Sequence, residues 1–405
     1  MDQTPTWQPR RLHNNPDPER LAAVRTPGAL SEQQFEKLPR PTGRYPYRLD
    51  LAEVLGPDAI AQMTASGRLV FHCVGDTGGI KDGNPQQIVA NHMQADLAGA
   101  DPPRFLYHLG DIVYFYGERR EYYGQFYEPY SLYRAPIVAI PGNHDGDIPP
   151  GTSATSLDAF VGNFCAPAPH HTREAGDNDR DAMTQPNVYW TFVTPLATIV
   201  GLYTNVPEGG RVADDQRSWL VEELKAAPAD RALLLALHHP VVSLDDHHSG
   251  STVMHDLLDA AAQEAGRLPD LVVTAHVHNY QRFTRRWADR PVPFIVAGAG
   301  GYHNLHYMTH NLGWPIALPF TVPAVSANGM DVTLEAFTDD RFGYLVLEVT
   351  ADRVDGTYFT VPRPQESWRA PAVAADSFGL DWRKHELVAA TPRPPGVGGV
   401  SGIGV

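Results

Sequence analysis

Cysteine is nearly absent from this chain: Cys73 and Cys165 are the two in 405 residues. Two thiols cannot make a disulfide scaffold, so a buried core has to hold the fold. Cys73 lies in the apolar run Leu69-Val70-Phe71-His72-Cys73-Val74 and reads as a small buried hydrophobe. Long hydrophobic runs are missing as well, and no stretch reaches membrane-spanning length. The start, Met1-Asp2-Gln3-Thr4-Pro5, lacks the charged-then-apolar pattern of a secretion signal, and no Asn-x-Ser/Thr acceptor occurs. A cytoplasmic protein with no membrane partner is the expectation. Positive charge is scarce too: 32 Lys and Arg face 47 Asp and Glu, a net charge of -15 spread along the chain. Such a field repels polyphosphate backbones, so nucleic acid is not expected as a partner, while a small phosphorylated substrate is disfavoured far less. What is present, 42% hydrophobic and 20% charged residues, is ordinary for a soluble enzyme and excludes wholesale disorder.

Residues 1–65 begin rich in Pro and Arg and show no long periodicity, so they read as an extension over the core without a clear fold. A main domain is expected over 66–362 and a C-terminal tail over 363–405, its Pro/Gly-rich end from Pro392 disordered. Short apolar runs at 69–74, 105–109, 136–140, 233–237 and 271–274 read as buried strands. Helices are predicted behind Pro85, over Gln216 to Leu224 behind the acidic start Asp214-Asp215, and over Met254 to Ala265. Further strands at 188–193, 197–203, 281–287 and 293–297 have no helices between them, which favours an α/β two-sheet sandwich over a barrel. Residues 343–361 read as a closing hairpin turning around Asp355-Gly356, and 165–187, with His170 and His171, as a solvated insertion. No internal repeat is visible.

Five of the apolar runs end directly in candidate metal ligands. The groups are Gly75-Asp76-Thr77-Gly78, Gly110-Asp111-Ile112-Val113-Tyr114, Gly142-Asn143-His144-Asp145, His238 after Leu235-Ala236-Leu237, and Ala275-His276-Val277-His278. Ligands in open α/β sheets converge at the carboxyl ends of strands, and the glycines let the chain turn there. Hard oxygen donors mixed with imidazole suit iron, manganese or zinc, and the donors are too many for one tetrahedral ion. Two ions about 3.5–4 Å apart, sharing a carboxylate, are the natural solution. Each motif alone is weak, since Gly-Asp is more often a turn and His-x-His more often two strand residues. The specificity lies in five groups, in order, each at a strand end.

This order resembles the calcineurin-like metallophosphoesterases, and the tyrosine of the second motif resembles their purple acid phosphatase branch, over roughly residues 69–300. The resemblance implies a four-layer αββα sandwich with mixed sheets, its dimetal site at the strand C-terminal ends, and makes 66–362 the catalytic domain. It implies that Asp76, Asp111, Tyr114 and His278 hold a first metal, and Asp111, Asn143, His238 and His276 a second, with Asp111 bridging. His144 matches a histidine that contacts substrate phosphate; His248 stands where the family has a second, with His247 the adjacent candidate. Two departures, Ala275 for a glycine and Leu235 for a valine, remove no ligand, and Gln281 stands where the family has Glu. A fibronectin-like N-terminal domain is not recognisable.

The implied chemistry is hydrolysis of a phosphoric ester by a metal-bound hydroxide, with His144 or His248 stabilising phosphorane oxygens or protonating the leaving alkoxide. A tyrosinate at Tyr114 implies Fe(III) at the first site and a coloured protein, with Fe, Zn or Mn at the second. The reading is a phosphomonoesterase on a small phosphorylated compound. A phosphodiesterase or nucleotide pyrophosphohydrolase stays open beside it, and so does a metal-holding sensor without turnover, although His144, His247 and His248 argue against the latter. The run Tyr302-His303-Asn304-Leu305-His306-Tyr307, with His310, reads as a surface loop, a pocket rim being the second reading. Gly298-Ala299-Gly300-Gly301 does not fit a dinucleotide loop.

Overall fold

The computed structural model describes residues 34–309, 315–324, 327 and 329–395. The chain opens on strand β1 (Arg48–Asp50) and helices α1 (Leu51–Leu55) and α2 (Pro57–Ser66). Then come β2 (Leu69–Val74), α3 (Asn84–Asp96), β3 (Leu106–His108), β4 (Ile137–Ala139), α4 (Asn143–Gly146) and α5 (Asp158–Phe164). A second series holds β5 (Trp190–Val193), β6 (Ala197–Gly201), α6 (Asp214–Ala226), β7 (Ala232–Ala236), α7 (Thr252–Ala265) and β8 (Leu271–Thr274). Antiparallel strands finish it: β9 (Tyr280–Trp287), β10 (Arg290–Ala297), β11 (Phe320–Thr321), β12 (Val332–Thr338), β13 (Gly343–Val349), β14 (Arg353–Thr360), β15 (Val373–Asp381) and β16 (Glu386–Val388).

Among the described residues these strands form two mixed sheets. One runs β1-β5-β6-β7-β8-β10-β9-β12-β11, the other β16-β15-β14-β13-β2-β3-β4. The apolar runs are continuous because both faces of each sheet are covered. In β2, Leu69, Phe71 and Cys73 join Tyr107, Leu345, Trp190, Leu234 and Val273 in the core between the sheets. Val70 and Val74 face the other way, onto Ile88, Val89 and Met93 of α3. In the larger sheet, Leu233 and Leu235 likewise meet Trp219 and Leu220 of α6 and Leu258 of α7. Helix, sheet, sheet and helix therefore stack as the four expected layers. His72 is tolerated inside β2 because its Nε2 lies 3.1 Å from Asp96 Oδ2 and its Nδ1 2.9 Å from Tyr133 Oη.

Several expectations need correction. The hairpin turns at Thr350–Asp352, where Arg353 N donates to Thr350 Oγ1 at 3.1 Å. Asp355 and Gly356 lie inside β14, opposite Glu348 and Leu347. A side chain at Gly356 would strike the Phe378 ring, its Cβ landing 2.1 Å from Cε1, so glycine here serves packing and not a turn. Beyond 362 the chain does not trail away: β15 pairs with β14 and β16 with β15. Phe378, Leu380 and Trp382 alternate inward onto the inter-sheet core, while the exposed first half of β15 hides that period. In the N-terminal extension, β1 pairs parallel with β5; residues 1–33 lie outside the described residues, as do 396–405 of the tail. Within 165–187, His170 and His171 are exposed as expected, but Gln185 is buried and bonds both Ala139 N (2.7 Å) and Ala139 O (2.8 Å).

Candidate metal centre

The carboxyl ends of β2, β3 and β4 in one sheet, and of β7 and β8 in the other, open onto the same spot. Parallel pairing of β2 with β3, β3 with β4, and β7 with β8 aligns those ends. Asp76, Asp111 and His276 then turn inward through left-handed backbone, with φ of 56°, 54° and 67°. Such conformations are costly for residues with a Cβ and collect at functional sites. The chain segment at Gly298 crosses against this spot: a Cβ there would lie 2.2 Å from Val277 O and 2.5 Å from Asp76 Oδ2. Glycine at 298 thus permits close approach, and no dinucleotide role is needed.

All seven candidate ligands meet here. His238 Nε2 lies 3.1 Å from Asn143 Oδ1, 3.4 Å from Asp111 Oδ2 and 3.9 Å from Asp76 Oδ1. His276 Nδ1 is 3.1 Å from Asn143 Oδ1. Tyr114 Oη stands 3.3 Å from Asp76 Oδ1 and 3.4 Å from His278 Nε2, which is itself 3.7 Å from Asp76 Oδ1. In two of the three rings the inner nitrogen is set by what the other nitrogen donates to. His238 Nδ1 donates to Leu109 O (2.8 Å) and His278 Nδ1 to Asn304 O (2.9 Å), which turns both Nε2 atoms toward the centre. Asp145 braces the frame, accepting from Gly142 N (2.9 Å), Ile112 N (3.1 Å) and Val113 N (3.1 Å).

The charges pull in opposite directions. Burial raises the Asp76 carboxyl well above its usual range, and neighbouring Asp111 adds to the rise while His238 opposes it. Burial also acts to raise Asp111, but the charges of His238 and His144 outweigh it and hold Asp111 well below its usual range. On His238 burial opposes the charge, yet Asp111 and Asp76 prevail and lift it to about 9. Burial, joined by Asp111, lifts Asp145 to about 7. Two buried carboxylates whose charge burial opposes call for further positive charge at the centre. Together with an amide oxygen, three imidazole nitrogens and a phenol, they form a donor set that suits cations of high charge. The residues therefore fit metal ions, and Asp111, His238 and His276 form one group whose ligand atoms lie within 4.8 Å of one another.

Histidines rim the site. His144 is half-buried; its backbone N donates to Asp111 Oδ1 (2.9 Å), and its Nδ1 donates to Phe115 O (2.9 Å). The His248 ring packs at a tilt 4.4 Å from His276, with Nδ1 3.0 Å from Glu208 Oε1. His247 is exposed and packs on His306 at 4.5 Å, not on a candidate ligand. Asp245 fixes this loop by accepting from His247 N (2.7 Å) and His248 N (2.6 Å). Gln281 secures it from below, accepting from Leu244 N at 2.8 Å.

Glu208 escaped the sequence reading, and Tyr302 and His306, read first as a surface loop with a pocket rim as the second reading, also border the centre. The expected surface loop brings Tyr302 to stack 4.1 Å from Tyr114, and the buried His306 ring 4.3 Å from His278. Tyr307, by contrast, is exposed, and His310 lies outside the described residues. The cavity of about 400 Å³ lined by Gln87, Tyr123, Glu128 and Leu132 shares no side chain with the centre.

A buried cluster of metal-type donors at the carboxyl ends of two packed mixed sheets defines a metallophosphoesterase class of protein. Residues 69–280, just over half of the chain, match the calcineurin-like phosphoesterase family, and the chain belongs to it. That membership places it among the hydrolases of phosphoric esters. It is 26% identical over 190 residues to purple acid phosphatase 22 of Arabidopsis thaliana, a match covering 44% of this chain and 39% of that protein. The chain thus spans well under half the length of this curated relative. Among solved structures, that of PhoD superposes with a TM-score of 0.50 at 15% identity, covering 80% of this chain and 72% of that one. An identity so low speaks for the fold alone. Among the described residues, no helix is long and apolar enough to cross a membrane.

Proposed function

We propose that the protein is a dimetal phosphomonoesterase acting on a small phosphorylated compound. The observation that carries this reading is the convergence of Asp76, Asp111, Asn143, His238, His276 and His278 from both sheets, with His144 and His248 beside them but outside the ligand set. Two ions held by these residues would supply Lewis-acid charge and lower the pKa of a coordinated water. The chain's own part is to hold the ligands and orient the substrate phosphate. His144 and His248 face that phosphate as donors, and either is placed to give a proton to the leaving oxygen. The catalytic unit in this reading runs from β1 to β16, because both are strands of the two sheets that carry the site.

The test is metal analysis of the purified protein followed by a panel of phosphate mono- and diesters. About two transition-metal ions per chain with faster monoester turnover is the expected result. Preference for diesters would replace the monoesterase reading, and absence of metal even after reconstitution would defeat the whole of it.

Fe(III) at the first site rests on Tyr114. Burial raises its phenol well above the usual range, and Asp111 and Asp76 push the same way. A phenolate there therefore needs a strongly charged cation, and a trivalent ion competes for it better than a divalent one. The iron-loaded protein is expected to show a broad visible band that Tyr114→Phe abolishes. An unchanged spectrum and metal content in the variant would remove Tyr114 from the ligand set.

A further inference from the structure

The three candidate ligand histidines are not held alike. His238 and His278 each give their outer N–H to a backbone carbonyl, a partner fixed by the fold. His276 points Nδ1 at Asn143, so its outer nitrogen is Nε2, which is buried and makes no hydrogen bond. The acidic group facing it is Glu208, whose Oε1 stands 3.6 Å away, just beyond bonding distance. The same oxygen lies 3.0 Å from His248 Nδ1. Glu208 is thus a single carboxylate placed between a candidate metal ligand and a histidine at the site of the substrate phosphate.

Its position is built into the backbone. Glu208 follows the carboxyl end of β6, in a turn closed by Gly210 N donating to Pro207 O (2.7 Å) and Arg211 N donating to Thr204 O (2.7 Å). Gly209 and Gly210 take φ of 77° and 78°, the left-handed region where glycine alone is free of strain. From the other side, Asn205 clasps residue 36, accepting from Glu36 N (2.8 Å) and donating to Glu36 O (2.9 Å).

We propose that Glu208 is a positioning residue: its carboxylate orients the His276 ring toward the metal and the His248 ring toward the substrate phosphate at once. A metal-ligating histidine ordinarily gives its second N–H to a carboxylate or carbonyl, and Glu208 is the group placed to accept it here. The role rests on the phosphoesterase reading, but its first readout does not need turnover. The full-length protein would be titrated with Zn²⁺ in competition with a chelator, then assayed on p-nitrophenyl phosphate. Glu208→Ala is expected to weaken one of two Zn²⁺ sites by about 10–100-fold and lower kcat by a similar factor, with KM and the other site within about threefold. Glu208→Gln, which still offers an acceptor, loses less on both counts. The side chain is 60% exposed, so the melting temperature in chelator should not move, and a purely structural role would show there and in KM. Zn²⁺ affinities and kcat within about threefold of wild type in Glu208→Ala would overturn the proposal. So would a third Zn²⁺ bound by wild type and lost in the variant, which would make Glu208, with His248 and His276, a ligand. If wild type binds Zn²⁺ but cleaves no ester, the phosphoesterase reading fails while the chelator competition still decides the role of Glu208.

Discussion

Asp111→Asn is expected to lower kcat on any phosphate ester by about a thousandfold or more, equivalent to roughly 4 kcal/mol, and to empty at least one metal site. The substitution keeps size and shape. Asn can still accept from His144 N, the bond that now reaches Asp111 Oδ1 at 2.9 Å. What it removes is the one negative charge in contact range of both His238 and the third-motif turn, at the place where two ions would share a ligand. An uncharged amide oxygen is a much weaker bridge, because its partial charge cannot offset two cations. A second readout separates metal loss from misfolding. Ions that bind only the folded protein stabilise it by mass action, about 4 kcal/mol at a thousandfold excess over Kd. Wild type should therefore melt higher with added metal than with chelator, and Asp111→Asn should lose most of that difference while melting near wild type in chelator. Two ions retained with turnover within tenfold would mean that Asp111 does not bridge.

The sequence makes the candidate ligands legible and hides what holds them. Asp76, Asp111, Asn143, His238 and His276 stand out because each follows directly on a run buried on both faces, and a strand end fixes where the next side chain goes. The left-handed backbone at Asp76, Asp111 and His276 is invisible in the residue types, since neither Asp nor His demands it. Tyr302 and His306 come from a stretch without period, and the half-buried Tyr302 and buried His306 depend on where Gly298–Gly301 crosses β2's end. Glu208 carried a usable signal. It lies in the loop after β6, whose carboxyl end lies beside that of β7, so the strand-end argument points to this loop though not to the residue. Read locally, Pro207-Glu208-Gly209-Gly210 says only turn and assigns the carboxylate on it no role. The same local reading misplaced the β13–β14 hairpin at Asp355-Gly356, where the Phe378 ring, remote in sequence, is what requires the glycine.

His144→Ala is expected to cost about 10²–10⁴ in kcat while leaving metal content intact. The ring lies close to the centre without joining its ligands. Nδ1 is spent on Phe115 O at 2.9 Å, so Nε2 is the nitrogen left to act, and the ring packs 4.5 Å from the Tyr114 ring. A protonated Nε2 there has two possible tasks, which the leaving group separates. A proton given to the departing oxygen matters greatly for an alkoxide and little for nitrophenolate, which leaves unaided. Charge presented to the phosphate oxygens matters for both alike. If His144 is the acid, the variant loses far more activity on an alkyl phosphate than on p-nitrophenyl phosphate. Equal losses would assign it to phosphate binding and leave His248, joined to Glu208 at 3.0 Å, as the proton donor. Loss of metal together with activity would instead place His144 in the structural frame of the centre, where its backbone N already meets Asp111.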